Sequence, residues 1–322
     1  MVFNMEEHIP VLLGEILRIL RLFQPSGVCI DATLGHGGYS AALLAEFPEI
    51  KVIGLDRDKE SIELSEKRLS QYKNRFFTFQ SNYCEIQKSI EISPFQEEVK
   101  FIIYDLGVST LQITSPNRGF SFQDNGPLDM RMDATKNDSI TAYHIINNWS
   151  ERDLSDIFYR YGEEKYSRYI SRGIVQYREK YGSINNTEDL VGIIRRILPQ
   201  PVQRKMGGHP ARRVFQSLRI AVNNELESLE KSLINAQSIL ANNGIIFVVS
   251  YHSLEDKIAK KYFSSFVHSK IGYIYNKKVI TPSPEEVNAN YRSRSAKMRV
   301  FIKSNEYFNT KGKSRWTDPL SL

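Results

Sequence analysis

Three aspartates each close a short apolar run: Asp31 after Val28-Cys29-Ile30, Asp56 after Val52-Ile53-Gly54-Leu55, and Asp105 after Phe101-Ile102-Ile103-Tyr104. Between the first two lies Leu34-Gly35-His36-Gly37-Gly38-Tyr39-Ser40. A strand, a glycine loop and a helix in succession bring backbone N–H groups against a nucleotide-like ligand. Glycine suits such a loop because it admits positive φ and lets a ligand approach the main chain. Asp56 stands about twenty residues beyond the glycines, where a carboxylate accepts hydrogen bonds from ribose hydroxyls. The Gly35-x-Gly37 core only partly matches the dinucleotide fingerprint, since Ser40 occupies the place of its third glycine. Two nucleoside ligands therefore compete, NAD and S-adenosyl-L-methionine. Asp31 favours the second, because a carboxylate there meets an ammonium or sulfonium and repels a pyrophosphate. Tyr83, just after the third apolar run, is placed to pack on an adenine. Asp105 is suited to a methyl transfer to nitrogen. The exocyclic amine of a base is amide-like, and an acceptor on its N–H groups would turn the lone pair outward and take up developing charge. The alternative reading of Asp105 is a turn or helix cap.

The elements that must hold these residues read clearly at the start of the chain. Residues 9 to 23 form an amphipathic helix with Leu13, Ile16, Leu17 and Leu20 on one stripe. Strands are expected at 28–30, 51–55, 76–79 and 101–104, with helices from Ser40 to Phe47 and Ser61 to Leu69 between them. That alternation indicates an α/β, Rossmann-like doubly wound parallel sheet. From Gly107 to about Asp133 the chain is a loop, and from Ser139 to about Leu198 it is helical. We read 108–213 as an inserted all-helical domain, with 1–107 and 214–322 forming one discontinuous cofactor domain. After the insert come a long helix from about Arg212 to Ala241, an Asn242-Asn243-Gly244 turn and a strong strand at Ile245–Val249. Ile271–Ile280 and Met298–Ile302 suggest an antiparallel pair. The polar stretch TPSPEEVNANYRSRS between them reads as a mobile loop, and a basic tail follows.

Substrate contacts are sought outside the first sheet. Arg118-Gly119-Phe120-Ser121-Phe122 and Gly126-Pro127-Leu128-Asp129-Met130-Arg131-Met132-Asp133 place aromatics and arginines in a glycine-bearing loop, which suits a base held out of its stack. The same loop could instead be tucked in by its own Phe and Met side chains. His209, Arg212 and Arg213 open the later helix, and from Pro201 to Asn223 there are five basic residues and no acidic one. Arg292, Arg294, Lys297, Arg299 and Lys303 form a second basic stretch. Both are candidate phosphate-contact surfaces. His252, after the Ile245–Val249 strand, could orient a base or a phosphate, while Ser253 with Asp256 is placed to cap the next helix.

Composition narrows the classes. The formal net charge of +6 permits an acidic partner such as nucleic acid. Two cysteines fit a reducing compartment, and Cys29 reads as a buried, inert thiol. No His/Cys cluster has metal spacing, so no metal is expected. There is no run long enough for a membrane helix and no apolar secretion core near Glu6 and Glu7. The expected setting is cytoplasmic, with no membrane partner; the oligomeric state, a homodimer included, is open.

Taken together, HIPVLL at 8–13, DATLGHGGYS at 31–40, GLDRD at 54–58, DLGVSTLQ at 105–112, RGFSF at 118–122, GPLDMRMD at 126–133, YGEEKYSRYI at 161–170, HPARRVFQSLRI at 209–220, SYHSLEDK at 250–257 and RSRSAKMRV at 292–300 resemble one family along nearly the whole chain. It is the bacterial small-subunit ribosomal RNA cytosine-N4 methyltransferase family, also called RsmH or MraW. The resemblance implies a class I methyltransferase sheet, S-adenosyl-L-methionine as cofactor, and methylation of one cytidine of the ribosomal decoding region on the small subunit. By position it implies cofactor contacts at Gly37, Gly38, Tyr39, Asp56, Tyr83, Asp105 and Gln112. The family often has His at the place of Tyr39 and Phe at that of Tyr83; a backbone contact survives the first change and stacking the second. Many DNA amino-methyltransferases carry Asp-Pro-Pro-Tyr after the fourth strand, where this chain has Asp105-Leu106-Gly107-Val108, so no base is assigned. Two other readings remain beside this one: an NAD-dependent oxidoreductase, and an RNA-binding assembly factor that keeps a cofactor fold.

Overall fold

The computed structural model describes residues 10–135, 139–276 and 278–305. Glu6, Glu7, the His8-Ile9 start of the first family-like stretch and the basic tail after residue 305 lie outside them. The chain divides into two compact units, one comprising residues up to Gly107 and from Ser228 on, the other Val108–Glu227.

Seven strands build the first unit: β1 Gly27–Asp31, β2 Ile50–Asp56, β3 Phe76–Gln80, β4 Val99–Asp105, β5 Leu240–Ser250, β6 Gly272–Ile274 and β7 Lys297–Lys303. Their order is β3-β2-β1-β4-β5-β7-β6. The first five run parallel, and β7 pairs antiparallel with β5 and β6. This is the Rossmann-like sheet expected from the alternation, with its antiparallel pair at one edge. The strand order reverses beside β1, where such sheets open a crevice at their carboxyl ends.

Alternate residues of each strand face opposite sides of the sheet. Cys29, Val52, Phe101, Ile103, Phe247 and Val300 join one core cluster with the Leu13–Leu22 and Gly38–Glu46 helices. Val28, Ile30, Ile53, Ile102, Tyr104 and Val248 join the other with the Glu225–Ile239 and Ser253–His268 helices. Because both faces are covered, these strands read as nearly unbroken apolar runs. Cys29 is fully buried, and burial raises its thiol pKa well above the usual value.

The first helix starts at Leu13, later than its sequence pattern suggests, because Leu12 adopts φ +58. The expected Arg212–Ala241 helix is two helices, Arg212–Asn223 and Glu225–Ile239. Asn224, with φ +50, ends the first of them in the left-handed conformation that Asn tolerates. Val214, Phe215 and Leu218 of Arg212–Asn223 belong to the core of the second unit, so that unit runs past residue 213. The polar stretch expected to be a mobile loop is instead ordered as a Pro284–Ala289 helix and a 3-10 turn at Tyr291–Ser295. Ser283 caps the helix, and Glu286 accepts the Leu12 N–H at 2.6 Å.

The second unit is helical: Ala142–Asn148, Glu151–Gly162, Ser167–Tyr181, Thr187–Ile197 and Arg212–Asn223 enclose a core that includes Leu154, Phe158, Ile170, Ile174, Leu190 and Ile194. Among the described residues no helix is long and apolar enough to cross a membrane.

Candidate active site

Asp56, Asp31 and Asp105 are the last residues of β2, β1 and β4, three strands adjacent in the sheet. Neighbouring strands lie about 4.8 Å apart, so the three carboxylates share one edge. The loop after β1 is stitched to both neighbours. Ala32 N–H donates to Ile103 O at 2.9 Å, and Leu34 N–H donates to Leu55 O at 2.8 Å. Leu34 lies where a Cβ on Gly54 would be, at 2.7 Å, so Gly54 makes room for the loop.

The glycines serve two purposes. Gly35 (φ +50) and Gly37 (φ +72) hold left-handed backbone. A Cβ on Gly35 would meet nothing within 4 Å, which leaves its face open as a cradle. A Cβ on Gly37 would press on Leu69 and Ser65, and one on Gly38 would strike Pro10 at 2.6 Å. At those two positions the need for glycine is packing within the protein, not ligand approach alone. The first N–H groups of the Gly38–Glu46 helix have no partner within the helix, and that of Ser40 acts on the Asp31 carboxylate.

Asp31 is wholly buried. Its Oδ2 accepts the Ser40 hydroxyl at 2.7 Å, while its Oδ1 has no hydrogen-bond partner. Ser40, the residue that spoils the dinucleotide fingerprint, is thus the donor that orients this carboxylate. Burial pushes the Asp31 pKa up to about 6, and the charge of Asp56 adds to the rise. Asp56 accepts N–H groups of Gly35 (2.8 Å) and Asp58 (2.9 Å), one on each oxygen, so its direction is set by backbone. Its pKa also rises to about 6, mainly through burial. Asp58 caps the Lys59–Arg68 helix. Asp105 accepts the Tyr251 hydroxyl at 2.6 Å, and its own N–H donates to Thr33 Oγ1 at 2.6 Å. Burial first, then the charges of Asp31 and Glu255, push its pKa to about 7 against the lowering effect of the Tyr251 and Tyr39 hydroxyls.

Tyr39 is buried and donates its hydroxyl to Val11 O at 2.5 Å. Tyr83 is half-buried, edge-on to Tyr104 with ring centroids 6.0 Å apart. Its carbonyl accepts the Ser232 hydroxyl at 2.7 Å. Gln112 lies in the second unit, where it forms a capping box with Ser109 at the start of the Thr110–Thr114 helix.

The substrate candidates divide. Phe120 is a core residue of the second unit, not a stacking surface. Arg118 donates to the carbonyls of Arg131 and Met132, and Arg131 holds Asp129 in a two-point ion pair at 2.8 and 2.7 Å. These arginines tie the loop to itself, so their guanidinium groups are committed. Arg213 donates to Glu163 O at 3.1 Å. His209 stacks on Phe122 at 4.6 Å with Arg195 Nη2 2.9 Å from its Nε2, and burial and that cation lower its pKa. Arg212 is exposed. Arg294 is exposed and lies over the Tyr291 ring at 4.1 Å. In its basic stretch, Arg299 is paired with Asp256 at 2.7 Å and Lys303 donates to Gln237 O and Leu240 O. His252 caps the Ser253–His268 helix in a box with Glu255, a role the sequence suggested for Ser253 with Asp256. Asp256 is instead the partner of Arg299.

Tyr251, Thr33 and Ser40 were not singled out as site residues by the sequence. Tyr251 is the first residue after β5, the strand beside β4, and that position is its only signal.

Residues 5–304 match the MraW methylase family. The chain belongs to that family. Its curated relatives include proteins named ribosomal RNA small subunit methyltransferase H. One from a Sulfurihydrogenibium species is 43% identical over 296 residues, covering 92% of this chain and 99% of the relative. One from Anaplasma phagocytophilum is 40% identical over 299 residues, covering 93% and 99%. One from Oceanobacillus iheyensis is 39% identical over 319 residues, covering 94% and 96%. As a methylase on a Rossmann-like sheet, the chain needs a methyl donor, and the unpartnered Asp31 oxygen amid three carboxylates fits the cationic end of S-adenosylmethionine.

Proposed function

We propose that this protein transfers a methyl group from S-adenosylmethionine to N4 of a cytidine in the decoding region of small-subunit ribosomal RNA. The observation that carries the reading is Asp31: a buried carboxylate with no cation beside it, whose Oδ2 accepts the Ser40 hydroxyl and whose Oδ1 has no hydrogen-bond partner, the Thr33 and Ser40 backbone N–H groups easing its charge from nearby. An unpaired buried charge is costly, and a cationic ligand removes that cost. When bound, S-adenosylmethionine supplies an electrophilic methyl group on a cationic sulfur. Asp31 would hold the cationic amino-acid end, Asp56 would accept hydrogen bonds from the ribose hydroxyls, the open face at Gly35 would admit the ligand to the backbone, and Tyr83 would flank the adenine. Asp105, aimed by Tyr251, accepts an N–H of the cytosine amine and turns the nitrogen lone pair toward the methyl carbon. As the cytosine amine accepts the methyl group its nitrogen would give up a proton, and Asp105, with its pKa pushed up to about 7, would take it. Alignment of amine and methyl carries most of the acceleration, about 7–11 kcal/mol at its best.

In this reading the helical unit contacts the RNA, with the exposed Arg204, Lys205 and Arg212 as phosphate contacts. The work is done in the cytoplasm, on the small subunit or its RNA. Incubation with labelled cofactor and small subunits lacking the modification, followed by digestion to nucleosides, should yield labelled N4-methylcytidine. Label at no cytidine would overturn the proposal.

A further inference from the structure

The helical unit carries a groove that none of the readings above uses. It lies between the Ser167–Tyr181 and Thr187–Ile197 helices, has a volume of about 500 Å³, and is lined by Gly173, Gln176, Tyr177, Lys180, Tyr181, Ile193, Arg196 and Ile197. Its origin is local. A Cβ on Gly173 would meet Ile197 at 2.5 Å, so glycine there lets the two helices close at that level. Beyond it, residues 176, 177, 180 and 181 continue along one face of the first helix at spacings of three and four.

The lining combines rings and cations. The Tyr177 and Tyr181 rings are 5.0 Å apart, tilted by 44°. Lys180 Nζ lies 5.0 Å from the Tyr181 ring, and the Arg196 guanidinium lies 5.5 Å from the Tyr177 ring. Tyr181 is 65% exposed, so its ring is open to a ligand. No acidic residue lines the groove. The neighbouring Arg178 differs, since it donates to the carbonyls of Ile146 and Trp149.

We propose that this groove holds an unstacked nucleotide of a single-stranded RNA segment, with Tyr181 and Tyr177 against its base and Lys180 and Arg196 on its phosphates. Aromatic rings interleaved with cations are the pattern by which proteins take single-stranded nucleic acid. The site deepens the proposed function, because it rests on RNA being the substrate.

The test is the affinity of the full chain for a short fluorescein-labelled single-stranded RNA, measured by anisotropy at several salt concentrations. Loss of a stacked base costs about tenfold in affinity, so Tyr181→Ala should weaken binding by that factor with the salt slope unchanged. Lys180→Ala and Arg196→Ala should each flatten the slope of log K against log salt by about 0.7. Lys180→Arg should restore it. S-adenosylmethionine affinity should be unchanged in all four variants. Variants that bind RNA like wild type would overturn the groove assignment while leaving the proposed function intact. A change in oligomeric state by sedimentation in place of a change in RNA affinity would also overturn it. Wild type that binds no RNA at any salt would instead strike the proposed function itself.

Discussion

The carboxyl edge of the sheet and the Arg118–Asp133 loop both carry charged side chains, and they use them in opposite ways. At the sheet edge, Asp31, Asp56 and Asp105 crowd together, and no cation is paired with any of them among the described residues. In the loop, Arg118 and Arg131 are satisfied by carbonyls and by Asp129 a few residues away. Charge left uncompensated in a folded protein is the mark of a missing partner. Charge neutralised within its own segment is the mark of a segment that must hold its shape. The same residue types therefore carry opposite meanings, and only the partners distinguish them.

Replacing Asp31 tests this contrast most severely. Asp31→Asn should weaken S-adenosylmethionine binding by about a hundredfold, as expected for loss of one partner of a buried charge pair. The same change should stabilise the ligand-free protein above pH 7. The folded pKa of Asp31 is about 6, above the 3.8 of an ordinary aspartate, so its contribution to stability is present below pH 3.8 and lost as pH rises through 6. Asparagine carries no such dependence, and calorimetry against thermal unfolding at pH 5 and pH 8 would show both effects. A variant that binds the cofactor normally would remove the edge from the active site.

A milder probe leaves the chain intact. Because Asp31 ionises near 6, affinity for a cationic cofactor should climb from pH 5 to pH 8, by about threefold per unit at the midpoint and approaching tenfold per unit below it. Titration calorimetry at constant ionic strength reads this directly, and a flat profile would contradict the site.

On the other side of the comparison, Arg118→Ala should cost stability, about 1–3 kcal/mol for two orphaned carbonyls, with S-adenosylmethionine affinity unchanged. Chemical denaturation checks the first and calorimetry the second. A loss of RNA affinity with unaltered stability would instead make Arg118 a phosphate contact.

The smallest expected effect is at Tyr251. Tyr251→Phe removes the hydroxyl that holds the Asp105 carboxylate in its charged form. The Asp105 pKa should rise, moving the pH midpoint of kcat upward by about half to one unit, in line with one lost hydrogen bond. An unshifted midpoint would show that Asp105 does not govern the chemical step.

Much of the first unit was legible because parallel strands buried on both faces leave a plain record. Ile102 and Ile103 face opposite cores, so neither could be polar, and Asp105 marks the end of the strand. The helical insert was legible as helices, yet its end was misplaced. Periodicity continues from Arg212 into the next helix, and the break rests on a single left-handed residue, Asn224. The placement of Phe120 in a core and of the Arg118 and Arg131 guanidinium groups against their own loop was not legible, because composition says what a segment contains but not which way it turns. The pairing of Arg299 with Asp256 joins residues far apart in the chain, and the capping of a helix by His252 in place of Ser253 turns on one rotation of the backbone.

By itself, the order of residues determined the alternation of strands and helices, the insertion between the fourth and fifth strands, and the acids at three strand ends, because burial and backbone propensity act locally. Tertiary structure alone decided that Ser40 and not a glycine serves Asp31, that Tyr251 aims Asp105, and that Arg118, Arg131 and Arg299 each bind carbonyls or a carboxylate of the protein itself. Those outcomes depend on which polar groups meet once the chain is folded, and hydrogen bonds and desolvation are set by neighbours in space, not in sequence.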